Sequence, residues 1–323
     1  MRVAVSGGGG FIGAHLLARL LGAGVDVTLI GQDTGRSRYV AALVADGAAR
    51  FANCGAAFRD EAALRSALAD ADALVLLGYV APRASSPADQ LLEELEQNVT
   101  STARILRAAD GGRVRHVVFA SSDSVYGNPV RTPVRETDAA SPRIPLAAAK
   151  LACEQMVRIS CLASGASAAI LRYSTVYGPG EPCSRVVPTF IRAALAGQPP
   201  QIDGEGLDER DYVHVADAVD ATMKAIRRGA DGVYNIGTGI GTTTLELAQL
   251  VVWISGGRAA PVRRAARDHR YDRTSVVLDI ALAGSELGFA PRRLLPEGLA
   301  AEIGWFKSDA PIEPQWALLA ASA

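Results

Sequence analysis

The first thirteen residues, Met1–Gly13, read M-R-V-A-V-S-G-G-G-G-F-I-G, and their reading decides the fold. Arg2–Val5 is a short, mostly apolar run of strand length. Gly7, Gly10 and Gly13 follow at once with G-x-x-G-x-x-G spacing, and Phe11 and Ile12 lead into a helix pattern over Ile12–Leu21. Glycines lack a Cβ, so the backbone can turn tightly, approach an anion closely and pack helix against strand. The helix N-terminus then presents unpaired N–H groups to that anion. Sited between a strand and a helix, the pattern reads as a pyrophosphate cradle of a dinucleotide site.

The rest of the chain extends this unit. Val25–Ile30, Ala73–Leu77, Val114–Ala120 and Ala168–Leu171 read as further strands, mostly apolar as expected when helices cover both sheet faces. Helix patterns at Glu61–Leu68, Asn98–Ala109 and Ala147–Leu162 lie between them. This alternation predicts an α/β fold with a doubly wound parallel sheet of the Rossmann type over residues 1–171. After Leu171 the rhythm breaks, with Pro, Gly and acidic residues crowding Gly178–Glu181 and Gln198–Glu209. Helix patterns at Val187–Ala196, Val215–Arg227 and Thr244–Ile254 and a strand-like Gly232–Ile236 follow. Residues 172–210 and 241–307 are expected to form a smaller, C-terminal substrate-binding domain. Residues 211–240 are expected to re-enter the first domain, and 308–323 reads as a tail without a clear period.

Composition narrows the function classes. The 323 residues are 49% hydrophobic and 21% charged, with 33 basic against 34 acidic residues and a net charge of -1. That balance argues against a nucleic-acid or anionic-membrane partner. Cys54, Cys153, Cys161 and Cys183 form no CxxC pair, and the four histidines have no HExxH spacing. A reducing, cytoplasmic setting is therefore expected, with no metal. No apolar run reaches about 18 residues, and the start MRVAV has no export-signal pattern.

The loop after the second strand bears on the cofactor. An NAD site usually places an acidic residue there to hold the ribose 2′-hydroxyl, whereas this strand ends at Gly31 and the loop carries Arg36, Ser37 and Arg38. Two guanidinium groups can clamp a 2′-phosphate, so NADP is expected ahead of NAD. Asp33 is the residue that would favour NAD if the loop folds back, and the two arginines can equally be solvated surface charges.

On these residues the chain resembles the extended short-chain dehydrogenase/reductases, the NAD(P)-dependent epimerase/dehydratase family. The resemblance runs from Met1 to about Trp305. Besides the glycine loop it rests on Asn98-Val99, F-A-S-S-D-S-V-Y-G at Phe119–Gly127 and K-L-A-C-E at Lys150–Glu154. It continues through L-R-Y-S-T-V-Y-G-P-G at Leu171–Gly180, E-R-D-Y-V-H-V-A-D at Glu209–Asp217, Y-N-I-G-T-G at Tyr234–Gly239 and L-G-F-A-P at Leu287–Pro291. It implies a cofactor site that also takes in Leu77, Lys150 and Tyr173, and a catalytic Ser122 and Lys150. It implies too a tyrosine four residues before the lysine, whose hydroxyl exchanges a proton with the substrate oxygen.

That tyrosine is missing. The stretch is Pro145-Leu146-Ala147-Ala148-Ala149-Lys150, so Leu146 faces the same cleft as Lys150 and has no proton to give. Other positions depart as well. Ser122-Asp123-Ser124 stands where related sugar dehydratases carry Thr-Asp-Glu, Thr175 replaces the asparagine of nucleotide-sugar enzymes, and Tyr79 fills a place where the family often has a small residue. Arg210 keeps the family's diphosphate-contact position, with an ion pair to Asp211 or Glu209 as its alternative role. Tyr79, Asp123, Ser124, Leu146, Thr175 and Arg210 are accordingly the candidate substrate contacts. Tyr126, Tyr173 and Tyr177 are expected to pack against the sheet end or cofactor, and His116 and His214 to be structural.

A positioned general acid is worth about 10²–10⁴ in rate. Its loss is tolerable if the substrate carries its own donor, such as a phenolic hydroxyl beside a ketone, because effective molarities inside one molecule are large. A leucine wall suits a flat aromatic ketone better than a hydrated sugar. The combination resembles the atypical ketoreductases of aromatic polyketide (angucyclinone) biosynthesis, which implies NADPH as hydride donor. The alternatives are a nucleotide-sugar epimerase or dehydratase using a substitute acid, and a cofactor-binding protein without chemistry. A homodimer through Asn98–Ala109 and Ala147–Leu162 is a further expectation of the resemblance.

Overall fold

The computed structural model describes residues 1–33, 38–265 and 275–308. Its strands are β1 (Arg2–Ser6), β2 (Asp26–Gly31), β3 (Arg50–Asn53), β4 (Ala73–Leu76), β5 (His116–Ser122), β6 (Ser167–Tyr173), β7 (Thr175–Tyr177), β8 (Gln201–Asp203), β9 (Glu209–His214), β10 (Gly232–Ile236), β11 (Gly241–Thr243) and β12 (Val262–Arg264). Its helices are α1 (Phe11–Gly22), α2 (Arg38–Ala45), α3 (Glu61–Leu68), α4 (Pro87–Glu93), α5 (Thr100–Ala109), α6 (Pro145–Ser164), α7 (Val186–Leu195), α8 (Val215–Arg228), α9 (Thr244–Ser255) and α10 (Leu295–Lys307). Seven strands form one parallel sheet in the order β10-β6-β5-β4-β1-β2-β3. The order reverses between β1 and β4, which opens a crevice at the carboxyl ends of the strands.

Alternation along β1 places the core on both faces of the sheet. Val3 and Val5 pack with Leu16, Leu17 and Leu20 of α1 and Met223 and Ile226 of α8, while Ala4 points the other way into Leu64, Leu68, Ile105 and Val157 of α3, α5 and α6. A third apolar cluster, with Tyr177, Phe190, Ile191, Tyr212, Leu247, Val251, Leu299 and Ile303, lies among α7, α9 and α10. The three-stranded sheet β11-β9-β7 and the β12-β8 pair accompany it. Among the described residues no helix is long and apolar enough to cross a membrane.

Most expected elements are present within a residue or two. The exceptions have local causes. β3 is short and half-exposed, so R-F-A-N carries no apolar signature, and Leu295–Lys307 interrupts its helix pattern with Gly298 and Gly304. The helix expected at Asn98 starts earlier, because α4 runs through a π turn, Glu94–Val99, directly into α5. The tail beyond Ser308 lies outside the described residues.

Helix α6 is fixed by charge. Arg172 of β6 grips Glu154 of α6 in a fork, Nε to Oε1 at 3.0 Å and an Nη to Oε2 at 2.7 Å, and the Ser121 hydroxyl of β5 donates to the same carboxylate. Both partners are buried, so removing either strands a charge at a cost of about 3–5 kcal/mol.

Two buried acidic residues lie on α10 and on the loop after β7. Glu302 is 0% and Glu181 2% exposed, and Arg185 Nε stands 3.1 Å from Glu181 Oε1. Burial, aided by the Glu181 charge, pushes the Glu302 carboxyl well above the usual carboxylate range, and burial pushes Glu181 up as well. These two carboxyls hold protons in the folded chain that the unfolded chain releases, so their contribution to stability is greatest in acid and falls as pH rises through neutrality. Between pH 6 and 9 the native chain should lose on the order of 2 kcal/mol, read as a falling Tm. Glu302→Gln should flatten that loss; an equal fall in the variant would contradict this reading.

Candidate active site

The crevice is lined first by the glycine loop. Gly7 has φ +78°, and a Cβ there would stand 2.5 Å from the Gly78 nitrogen just beyond β4; one on Gly13 would stand 2.2 Å from the Gly7 carbonyl oxygen. Neither position tolerates a side chain. The Leu77 amide donates to the Ser6 carbonyl at 3.0 Å, which draws the end of β4 against the loop. Gly10 caps α1 without a side-chain hydrogen bond, and the first turn (Phe11, Ile12, Gly13) holds no acidic residue. Its amides face the crevice mouth without a built-in anion, so this cradle fits a pyrophosphate. Gly7, Gly10, Phe11, Ile12, Gly13 and Leu77 are therefore brought together as expected from the sequence. Arg36 and Ser37 lie outside the described residues, and Arg38 is described only as the first backbone position of α2. Asp33 is exposed beyond the end of β2.

The candidate reacting groups Ser122 and Lys150 sit at and beside the carboxyl end of β5. Ser122 caps a 3-10 turn, Asp123–Tyr126. Its oxygen accepts from the Ser124 hydroxyl at 2.8 Å and the Ser124 amide at 3.2 Å, and its own proton goes to Asp123 Oδ1 at 3.2 Å. Pro145 at the first turn starts α6, and Leu146 follows, half-buried. One turn on, Lys150 Nζ donates to the Ala120 carbonyl of β5 at 2.7 Å and lies over the rings of Phe119 (5.0 Å) and Tyr79 (5.4 Å). Burial pushes this ammonium down to about 8, against the opposing pull of Cys153, Glu94 and Glu154.

The tyrosines are otherwise engaged. Tyr79 donates its hydroxyl to Glu94 Oε1 at 2.6 Å, and burial together with that bond raises its pKa far above an ordinary phenol. The Tyr126 hydroxyl donates to Asn235 Oδ1 at 2.7 Å under the Arg172 guanidinium. Tyr177 is fully buried. Tyr173 departs from its expected cofactor role: it is 4% exposed, and its hydroxyl shares a 2.6 Å hydrogen bond with Thr222 of α8 within the core. Its alternation on β6 sends the ring under the sheet rather than into the crevice.

Thr175 is half-buried in β7. Arg210 is held by the Glu209 carbonyl at 2.9 Å and by Asp208 Oδ2 at 3.4 Å, so among the described residues its ion pair is with Asp208 and not with the two residues expected. Asp211 is instead a buried latch, accepting from the Thr238 amide and hydroxyl and the Gly239 and Leu278 amides. His116 bonds Ser167 and His214 caps α8. Burial lowers both imidazoles, His214 to about 3, so they stay neutral. Glu94, by contrast, is a member of the site that composition and spacing did not reveal.

The arrangement can cradle a dinucleotide, hold a carbonyl beside Ser122 and Ser124, and set a cation near it. The proton donor of the usual triad is absent from its place at Leu146. Comparison with known proteins bears on what such a site does. The model of the NAD dependent epimerase/dehydratase family matches residues 3–237. The UDP-glucose 4-epimerase of Mycolicibacterium smegmatis is 34% identical over 330 residues, covering 95% of this chain and 99% of that protein. The dTDP-glucose 4,6-dehydratase of Streptomyces niveus is 28% identical, covering 96% and 94%. Among solved structures, MoeE5 in complex with UDP-glucuronic acid and NAD superposes with a TM-score of 0.84 at 32% identity over 95% of this chain and 99% of that one. DesIV, the dTDP-glucose 4,6-dehydratase of Streptomyces venezuelae with NAD and TYD bound, gives 0.83 at 27% identity over 96% and 98%. These relatives are named for nucleotide-sugar chemistry, and the finer likeness to polyketide ketoreductases gains no support from them. The match across most of the chain, joined to the glycine cradle and the Ser122–Lys150 pair, makes this chain a member of the NAD dependent epimerase/dehydratase family.

Proposed function

We propose that this family member is a nicotinamide-dependent ketoreductase whose substrate, a flat aromatic ketone with an adjacent hydroxyl, brings its own proton. The observation that carries the reading is Leu146, one turn before Lys150, together with a Tyr79 hydroxyl already committed to Glu94. When bound, the nicotinamide supplies the hydride. To orient the carbonyl oxygen, the Ser122 hydroxyl turns from Asp123 to donate to it while Ser124 continues to donate to Ser122, and Leu146 presents an apolar wall that keeps water from it. As the carbonyl becomes an alkoxide, the neighbouring substrate hydroxyl passes its proton across, and the Lys150 ammonium stabilises the phenolate left behind. Water later restores that proton.

A second reading is a nucleotide-sugar epimerase or dehydratase with Asp123 as substitute acid. The relatives favour it on substrate class, being named for UDP- and dTDP-sugars over nearly their whole length. Against it stands the chemistry: oxidising a sugar hydroxyl needs a base where Leu146 stands, and Asp123 already receives the Ser122 proton. The cofactor divides likewise. The neighbours' NAD supports NAD, while Arg36 and Arg38 support NADP.

Two measurements separate the readings. Leu146→Ala should keep kcat/KM on an aromatic hydroxyketone within about tenfold, well short of the ~10²–10⁴ lost with a general acid; collapse of turnover in a folded variant would refute the proposal. Calorimetry with UDP and dTDP should detect no binding at millimolar ligand. Submillimolar binding would transfer the assignment to the nucleotide-sugar reading, and no consumption of either NADH or NADPH with aromatic ketones would leave a cofactor-binding protein without chemistry.

A further inference from the structure

The π turn Glu94–Val99 has a purpose that the glycine loop and the Ser122–Lys150 pair do not account for. Single π turns inside α-helices are frequent at functional sites, because the wider ring redirects side chains. Here the turn aims Glu94 and Asn98 at the segment just beyond β4. Asn98 clamps Val80 with both amide atoms, accepting from its N–H at 2.8 Å and donating to its carbonyl at 2.9 Å. Glu94 is 1% exposed, and each of its oxygens accepts one bond: Tyr79 Oη at 2.6 Å on Oε1, Asn98 Nδ2 at 2.7 Å on Oε2. Both donors are neutral. Two accepted bonds on two oxygens is the pattern of a carboxylate.

The Lys150 ammonium stands over the face of the same Tyr79 ring whose hydroxyl Glu94 holds. The other groups facing Lys150 do not balance its charge. Phe119 of β5 is apolar, and the Cys153 thiol on α6 is driven up by burial, so it is neutral. Glu154 on α6 is already paired in the fork of Arg172. We infer that Glu94 is the buried counter-charge of Lys150, a positioning residue whose negative charge acts through space, beside the Tyr79 ring, to keep the lysine cationic in the site. The inference rests on the proposed role of Lys150 as the charged group of the reaction, yet its test needs neither substrate nor cofactor.

The chain contains three lysines, Lys150, Lys224 and Lys307, so protein labelled with ¹³C-lysine gives three Cε signals, assigned with Lys224→Arg and Lys307→Arg. The Lys150 signal of the native protein should titrate with a midpoint near 8. Glu94→Gln should lower that midpoint by about one pH unit or more, whereas Glu94→Asp, which keeps the charge, should hold it nearer the native value than to that of Glu94→Gln. Tyr79→Phe leaves the carboxylate and ring in place, so its midpoint should not fall. An unmoved midpoint in Glu94→Gln, or an equal fall in Glu94→Asp or Tyr79→Phe, would overturn the inference whether or not the protein reduces ketones.

Discussion

The fork between Arg172 and Glu154 is the constraint on which the site depends. It joins β6 to α6 in the buried interior, with the Ser121 hydroxyl of β5 as a third partner. Glu154 lies one helical turn beyond Lys150, so the same contact that pins the helix sets how far Lys150 reaches over β5 and where Leu146 meets the crevice. The Lys150 bond to the Ala120 carbonyl is then a short extension of an already rigid frame. A buried ion pair adds little net stability compared with an apolar substitute, yet it is intolerant of losing one member. Here it serves geometry.

Around this frame the cleft is built from groups whose protons are already assigned. Ser122 gives to Asp123, Ser124 to Ser122, Tyr79 to Glu94, and Tyr126 to Asn235. What remains for a substrate is a set of oxygens that accept, a cation at Lys150 and an apolar branch at Leu146. In that inventory Lys150 is the group that stabilises negative charge, and none of these four hydroxyls holds an uncommitted proton. The proposed substrate-borne proton follows from that inventory.

Much of this was legible in the sequence. The glycine loop and the strand–helix alternation follow from local pattern, because spacing on a strand or helix fixes which residues share a face, whereas the missing tyrosine and the candidate roles of Ser122 and Lys150 are legible only through the family resemblance. The place of Tyr173 is not legible from its motif, because only its position on β6 turns its ring into the core against Thr222. Arg210 found Asp208 because a β-strand separates adjacent side chains, so neither Glu209 nor Asp211 could meet it with a carboxylate. Glu94 stayed hidden for a different reason: in L-L-E-E-L-E-Q-N a glutamate reads as a solvated helix face, and only the π turn, which has no sequence signature, brings it inward.

The central claim is that the protein donates no proton to the reacting oxygen. It is tested most directly by pH–rate profiles for two aromatic hydroxyketones whose hydroxyl groups differ in acidity. The profile should move with the substrate's own ionisation when one ketone replaces the other. A profile that stays fixed across both would place the proton on the polypeptide and contradict the account.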